Sequence, residues 1–210
     1  AGTSSIAYAA RLVRTRVQEL TNAVPAGVAV MARGLARDYD AAVAVAAEAA
    51  QGEVCQAAND NGGGQVVVSG NKAAVERAVE IAKGKGAKRA MLLPVSAPFH
   101  CALMAPAAEV MAEALSKVHV MAPVVPVVSN VRASALKDPA EIVKALVAQV
   151  TGTVRWRESV AYMAAQGVGK FYEIGAGKVL SGLVKRIADG ATGTAIGTPD
   201  DVAAFKAAKN

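Results

Sequence analysis

Residues 65–95 read QVVVSGNKAAVERAVEIAKGKGAKRAMLLPV, and the change of period inside this stretch decides the fold. QVVVSG (65–70) is short and β-branched, as a strand is. NKAAVERAVEIAKGKG (71–86) then sets Ala, Val and Ile at helical spacing between an Asn cap and a glycine end, and AKRAMLLPV (87–95) returns to strand composition. The residues before it repeat the order. GVAVMARGL (27–35) reads as a strand, DYDAAVAVAAEAAQ (38–51) as an Asp-capped helix and EVCQAAND (53–60) as a second strand, with the turn NGGG (61–64) joining the two halves. β-α-β-β-α-β is the order of a ferredoxin-like module, which places a small domain at residues 27–94.

Outside that module the pattern is different. Residues 6–24 carry apolar positions at helical spacing and stop at Pro25-Ala26-Gly27. A helix is expected after Pro98, running toward Val118. PVVPVVSNV (123–131) is β-rich, and DPAEIVKALVAQV (138–150) and WRESVAYMAAQG (156–167) are helices. KFYEIGAG, KVLSGLVKRIADG, GTAIGT and DDVAAFKAAK then alternate strand and helix to the end. Such alternation argues a parallel sheet covered by helices. Its strands at 123–131, 170–175 and 193–198 are too few for the helices around them, so the sheet is expected to lack its first strands. The expected fold class is therefore α/β: a larger domain of residues 1–26 and 95–210, incomplete at its N-terminus, with the small domain inserted.

Composition narrows the function. Of the 210 residues 53% are hydrophobic, mostly Ala and Val, which fills a core, yet no run reaches the roughly 18 apolar residues of a membrane span. The N-terminus lacks both an initiating Met and the order of a signal peptide. Cys55 and Cys101 have no metal-ligand spacing, so no metal site is expected, and a reducing, cytoplasmic location is the simplest reading. The 23 Lys and Arg against 17 Asp and Glu are scattered, and 4% aromatic residues leave little to stack on bases. No nucleic acid and no membrane is expected as partner; an acidic protein or an anionic small molecule suits the +6 charge.

LLPVSAPFHCALM (92–104) holds one of the chain's two histidines, His100. Three residues into the expected helix start, at the rim where a strand hands over to a helix, it has the address of a general base; a histidine packed at a helix N-terminus is the competing reading. Cys101 is not its nucleophile, because consecutive helix positions point about 100° apart. Cys55 reads as a core residue and His119 as surface. No G-x-S-x-G occurs, so a serine nucleophile of the hydrolase type is absent from these residues.

PVSAPFHCALM, together with NDNGGGQVVVSG before it and VRWRESVAYMAAQGV and FYEIGAGKVLSGLVKRI after it, resembles the malonyl-CoA:acyl-carrier-protein transacylases of fatty acid synthesis along essentially the whole chain. The resemblance implies an α/β-hydrolase-like domain carrying a ferredoxin-like insertion. It implies transfer of malonyl from coenzyme A to acyl carrier protein through an acyl-serine, by a monomer with no cofactor beyond the thioester substrate. In the family the serine stands in a G-H-S-L-G elbow upstream of the position matching Ala1, so the chain as given is expected to be inactive. The alternative is a non-catalytic acyltransferase-like protein that still binds acyl carrier protein or another partner.

By the same resemblance His100 is the base, and Arg16 falls where the family has the arginine that grips the malonyl carboxylate, a task suited to a guanidinium fork. The family's R-G-x-x-M is here Arg16-Val17-Gln18-Glu19-Leu20. Val17 is thus expected to crowd the pocket and Glu19 to pair with an arginine, and a solvated helix arginine is the competing reading of Arg16. Arg155 stands where the family orients the histidine through a main-chain carbonyl. Asn59 and Asn61 match the substrate-facing asparagine segment, although NDNGGGQ is equally good as a plain turn. The glycines of EIGAGK, before a helix, suit either a phosphate or a tight turn.

Overall fold

A computed structural model describes residues 2–3, 6–25, 27–36, 38–95 and 97–208. Ser96 of the PVSAPFH run lies outside them. The chain divides into two compact units, Ala1–Trp156 and Arg157–Asn210.

The first unit is built on a four-stranded sheet. Its strands are β1 (Ala29–Arg33), β2 (Cys55–Asp60), β3 (Val66–Asn71) and β4 (Met91–Leu92), in the order β2-β3-β1-β4. Every neighbouring pair is antiparallel. Helices α2 (Tyr39–Ala50) and α3 (Lys72–Gly84) cover one face. Their inward positions are mostly alanine, Ala46 and Ala49 on α2 and Ala74, Ala78 and Ala82 on α3, which lets both backbones settle close against Ala32, Val68 and Cys55. Asp38 caps α2 by accepting the amide of Ala41 at 2.8 Å. Asn71 does not cap α3 with its side chain; its Oδ1 accepts the amide of Val54 instead and ties β3 to the start of β2. The last strand, expected over 87–95, shrinks to two residues.

The remaining helices of the unit pack on one another, with the start of β1 at their edge. These are α1 (Ile6–Asn22), α4 (Ala105–Ser116), entered through a 3₁₀ turn at Ala102–Met104, and α5 (Pro139–Thr151). They share a core of Leu20, Val24, Met104, Met111, Leu115 and Val150, to which Ala29 of β1 contributes. The helix expected directly after Pro98 thus begins only at Ala105, which leaves His100 in a turn. β5 (Val127–Ser129) pairs antiparallel with β6 (Ser134–Leu136) as a hairpin. The run 123–131 therefore folds on a neighbour that sequence reading missed.

The second unit holds α6 (Trp156–Ala165) from its second residue onward, then β7 (Lys170–Ile174), α7 (Val179–Ile187), β8 (Thr192–Ile196) and α8 (Pro199–Ala207). β7 and β8 pair in parallel, as a strand-helix-strand unit requires. Thr198 and Asp201 form a reciprocal capping box at α8. Among the described residues no helix is long and apolar enough to cross a membrane.

Candidate functional site

His100 has φ of 61°, a left-handed conformation unusual for a residue with a Cβ. The turn that imposes it is held from both sides. Cys101, fully buried, donates its thiol to the carbonyl of Pro98 at 3.2 Å, and the amide of Ala102 donates to Oε1 of Gln56 on β2 at 2.7 Å. The turn thereby throws the imidazole toward the C-terminal end of α5. There Nδ1 lies 2.9 Å from the main-chain carbonyl of Gln149. The Gln149 side-chain nitrogen also lies 3.4 Å from Nδ1, but the shorter contact is to the carbonyl, which only accepts, so this geometry favours the proton on Nδ1 and leaves the Nε2 lone pair as the base.

The end of α5 is arranged for this. The last carbonyls of a helix have no partner within it, and one of them becomes the acceptor for His100. The Gln149 side chain donates to the carbonyl of Gly152 at 3.0 Å and so fixes the chain just beyond. From there Thr153 Oγ1 donates to the carbonyl of Ala57, and Val154 exchanges hydrogen bonds with Ala58 and Asp60. The segment that orients the histidine is zipped to the end of β2.

Electrostatics keep the ring neutral. Burial pushes the His100 pKa below its ordinary value; the carbonyls of Gln149 and Gly152 oppose that, while the nearby charge of Arg16 adds to it. Arg16, on α1, is therefore close enough to His100 to oppose its protonation. Its guanidinium is partly buried and finds no carboxylate or carbonyl partner among the described residues, and desolvation lowers its own pKa. A cation kept without a counter-ion beside a neutral imidazole is a place for an anion to complete. Val17 is 56% exposed and so does not crowd this place. Glu19 forms no ion pair among the described residues. Both expectations drawn from Val17-Gln18-Glu19-Leu20 are corrected accordingly.

Arg155 is not the residue that orients the histidine in this structure. The carbonyl at Nδ1 belongs to Gln149, six positions earlier in the chain; Arg155 donates its amide to Asn130 and Nη1 to the carbonyl of Arg132. Sequence reading missed Gln149 because the group it contributes is main chain, which leaves no side-chain signature. Asn59 and Asn61 flank the buried Asp60 at the bulged end of β2, where Asn59 bridges to Val154. The residues after them close a tight turn, with Gly62 donating to Asp60 Oδ1 and Asn61 to the carbonyl of Gln65. The α7 N-terminus is already occupied: the Glu173 carboxylate accepts the amides of Leu180 and Ser181, so the glycines of EIGAGK serve the turn and leave no vacant phosphate cradle. His119 is exposed. Cys55 is buried in the helix-side core with its thiol pushed up to about 11, chiefly by desolvation. Burial also raises Cys101, so neither sulfur is a ready nucleophile. Among the described residues no cluster of His, Cys, Asp or Glu could hold a metal ion.

No protein-family model matches the sequence. Individual proteins do. The malonyl CoA-acyl carrier protein transacylase of Escherichia coli strain K12 is 49% identical over 205 residues, which is 97% of this chain and 66% of that protein. The crystal structure of acyl-carrier-protein S-malonyltransferase from Burkholderia pseudomallei superposes with a TM-score of 0.93 at 46% identity, covering all of this chain and 68% of the other. A malonyl-transacylase solved in complex with its type II polyketide acyl-carrier protein superposes with a TM-score of 0.92 at 40% identity, covering 99% of this chain and 67% of that one. The chain thus spans about two thirds of the length of the relatives it matches.

Proposed function

Because the chain belongs to the malonyl-CoA:acyl-carrier-protein transacylase family, we propose that it carries the base and the carboxylate-binding half of a malonyl transfer site, with His100 as the base and Arg16 as the anchor. The observation that carries this reading is the pairing of a neutral imidazole, its proton held at Nδ1 by Gln149, with a partly buried guanidinium that has no counter-ion.

The chemistry follows from those two groups. Malonyl-CoA enters with its free carboxylate on the Arg16 fork, which fixes the thioester carbonyl relative to Nε2. His100 takes the proton of the family's elbow serine as the serine oxygen attacks the carbonyl, and the imidazolium formed is stabilised by the Gln149 carbonyl at Nδ1. Collapse of the tetrahedral intermediate breaks the carbon–sulfur bond, and the coenzyme A sulfur leaves with the proton from His100. The acyl carrier protein's thiol then gives its proton to His100 and attacks the malonyl-serine. That ester oxygen recovers the proton, which closes a ping-pong cycle with no resident cofactor. The 210 residues hold no G-x-S-x-G elbow, so the serine in this scheme comes from the segment that the family places before it. Asn59 and Asn61, at the strand end to which 153–155 is tied, face the substrate side of this site in the same reading.

The fold is read in the same terms. The all-antiparallel order β2-β3-β1-β4 with two helices on one face supports residues 27–94 as a ferredoxin-like domain inserted into an α/β-hydrolase-like domain of 1–26 and 95–210. The parallel pair β7–β8, with Ile174 83% exposed, supports a larger parallel sheet, since such sheets are ordinarily covered on both faces. The partners are malonyl-CoA and an acidic acyl carrier protein, to which a +6 chain is attracted, and the protein works as a cytoplasmic monomer. The non-catalytic alternative loses its main support once Val17 points to solvent and Glu19 leaves Arg16 free.

The test is to fuse the chain to the preceding segment of the Escherichia coli relative and incubate it with malonyl-CoA. A malonyl adduct on the elbow serine that passes to acyl carrier protein is the expected result, and a folded fusion that forms none would refute the reading.

A further inference from the structure

Three residues lie side by side across the four-stranded sheet: Gln56 on β2, Ser69 on β3 and Met31 on β1 are register partners. Side chains alternate along a strand, and Cys55, Val68 and Ala32, one position away, face the helices α2 and α3. The row Gln56–Ser69–Met31 therefore faces the other way, and two of its members touch the histidine turn. Gln56 Oε1 accepts the amide of Ala102 at 2.7 Å. The Ser69 hydroxyl, fully buried and without a hydrogen-bond partner of good geometry, lies against the Cys101 thiol.

We infer that the cross-strand pair Gln56 and Ser69 positions His100, by holding the left-handed turn from beneath so that the imidazole reaches the Gln149 carbonyl. The inference rests on the reading of His100 as the base. The physical need for such a seat is plain. A residue with a Cβ at φ 61° relaxes to an extended or right-handed conformation unless its neighbours prevent it. Cys101, the N-cap of the 3₁₀ turn Ala102–Met104, makes no side-chain cap bond there. The first amide of that turn is satisfied instead by Gln56, a side chain 46 positions earlier in the chain. If it is released, the turn loses its external cap, φ of His100 is free to relax and Nδ1 withdraws from Gln149. Ser69 fixes the residue between them by filling the space under the sulfur. Neither residue touches substrate in this scheme; both act through His100.

The 210-residue chain itself serves as the test, with no substrate added. It holds two histidines, so nitrogen NMR resolves both rings, and His119→Gln assigns them. In the parent chain the neutral His100 ring should carry its proton on Nδ1, the minority form of a free imidazole. Gln56→Met keeps the length and removes the acceptor. It should speed hydrogen exchange at the Ala102 amide roughly tenfold, the loss expected of one hydrogen bond, and move the His100 proton toward Nε2. Gln56→Glu, which keeps an acceptor oxygen, should restore the Nδ1 form, and Ser69→Gly, which empties the space under the sulfur, should move the proton in the same direction as Gln56→Met. Gln56 is exposed, so the melting temperature should stay unchanged in both Gln56 variants, whereas the buried Ser69 variant is read by the tautomer alone. Unchanged tautomer and exchange in Gln56→Met would overturn the proposal. So would a tautomer change accompanied by a fall in melting temperature, which would make Gln56 general support for the fold. Neither outcome touches malonyl transfer, and absence of transfer in the fusion would leave the tautomer result standing.

Discussion

The imidazole of His100 and the main-chain carbonyl of Gln149 meet at 2.9 Å, and this contact decides what the histidine can do. An acceptor that belongs to the backbone carries no charge and cannot be protonated near neutral pH, so it orients the ring and fixes its tautomer without the large pKa rise that a carboxylate partner would bring. The base is thereby left neutral and ready, and the helix α5 that supplies the carbonyl becomes part of the site.

That arrangement has a pH signature in stability. Burial holds His100 below its ordinary pKa of about 6.5. Between the folded and unfolded values the unfolded chain binds the extra proton, so stability is highest above about pH 6.5 and falls as acid takes the solution through the folded pKa. Urea denaturation at pH 7.5 and at successively lower pH should show this loss. His100→Asn should shrink it, and an equally steep acid limb in that variant would assign the loss to other groups.

Arg16 should select for charge. Replacing it by alanine in the fused protein is expected to reduce malonyl-CoA use by ~1.5–3 kcal/mol of transition-state binding, the range for a hydrogen bond to a charged group, while acetyl-CoA, which brings no carboxylate, changes little. Comparing kcat/KM for the two thioesters reads this directly. Equal losses would make Arg16 a structural residue.

Asp138 holds the other end of α5. Its carboxylate accepts the amide of Glu141 at 2.8 Å, and Asp138→Ala should cost about 1 kcal/mol in unfolding free energy. Because the helix stays packed through Ile142, Ala145 and Val150, the His100 tautomer should not move. Denaturation and nitrogen NMR on the same sample separate the two effects.

Gly70 is where β3 runs tightest. A Cβ there would overlap the carbonyl oxygen of Val54, a backbone atom that cannot step aside. Gly70→Ala should therefore destabilise by about 1–3 kcal/mol or more, and a melting temperature within error of the parent would contradict the register given for β2 and β3.

What the sequence made legible follows from which interactions are local. Residues 27–86 could be read because alanine-rich helices alternate with Val-rich strands and Asp38 marks a start, so local period and final structure agree, while the strand expected over 87–95 forms only at Met91–Leu92. The hairpin β5–β6 was missed: Ser134-Ala135-Leu136 is too short to show alternation, and its pairing with Val127–Ser129 exists only in three dimensions. His100 was found as a residue type at a strand-to-helix handover, yet its left-handed turn was read as helix, because what imposes it, Gln56 and Cys101, is partly remote in sequence. Arg16 was found through a motif, and only the structure shows its guanidinium half-buried and lacking a partner. Gln149 had no local signal, since a carbonyl at a helix end is common to every residue type.

The central claim is that His100 is the base, and one comparison tests it most directly: the single-turnover rate of serine malonylation in the fused protein against the same fusion with His100→Ala, measured by quenched mass spectrometry at pH 7.5. Loss of a positioned base predicts a fall of about 10²–10⁴-fold; alanine keeps a Cβ at the left-handed φ of 61° and gives up the bond to Gln149, so a modest fall in melting temperature accompanies it while the variant stays folded. A folded variant that acylates its serine at the parent rate would contradict the account.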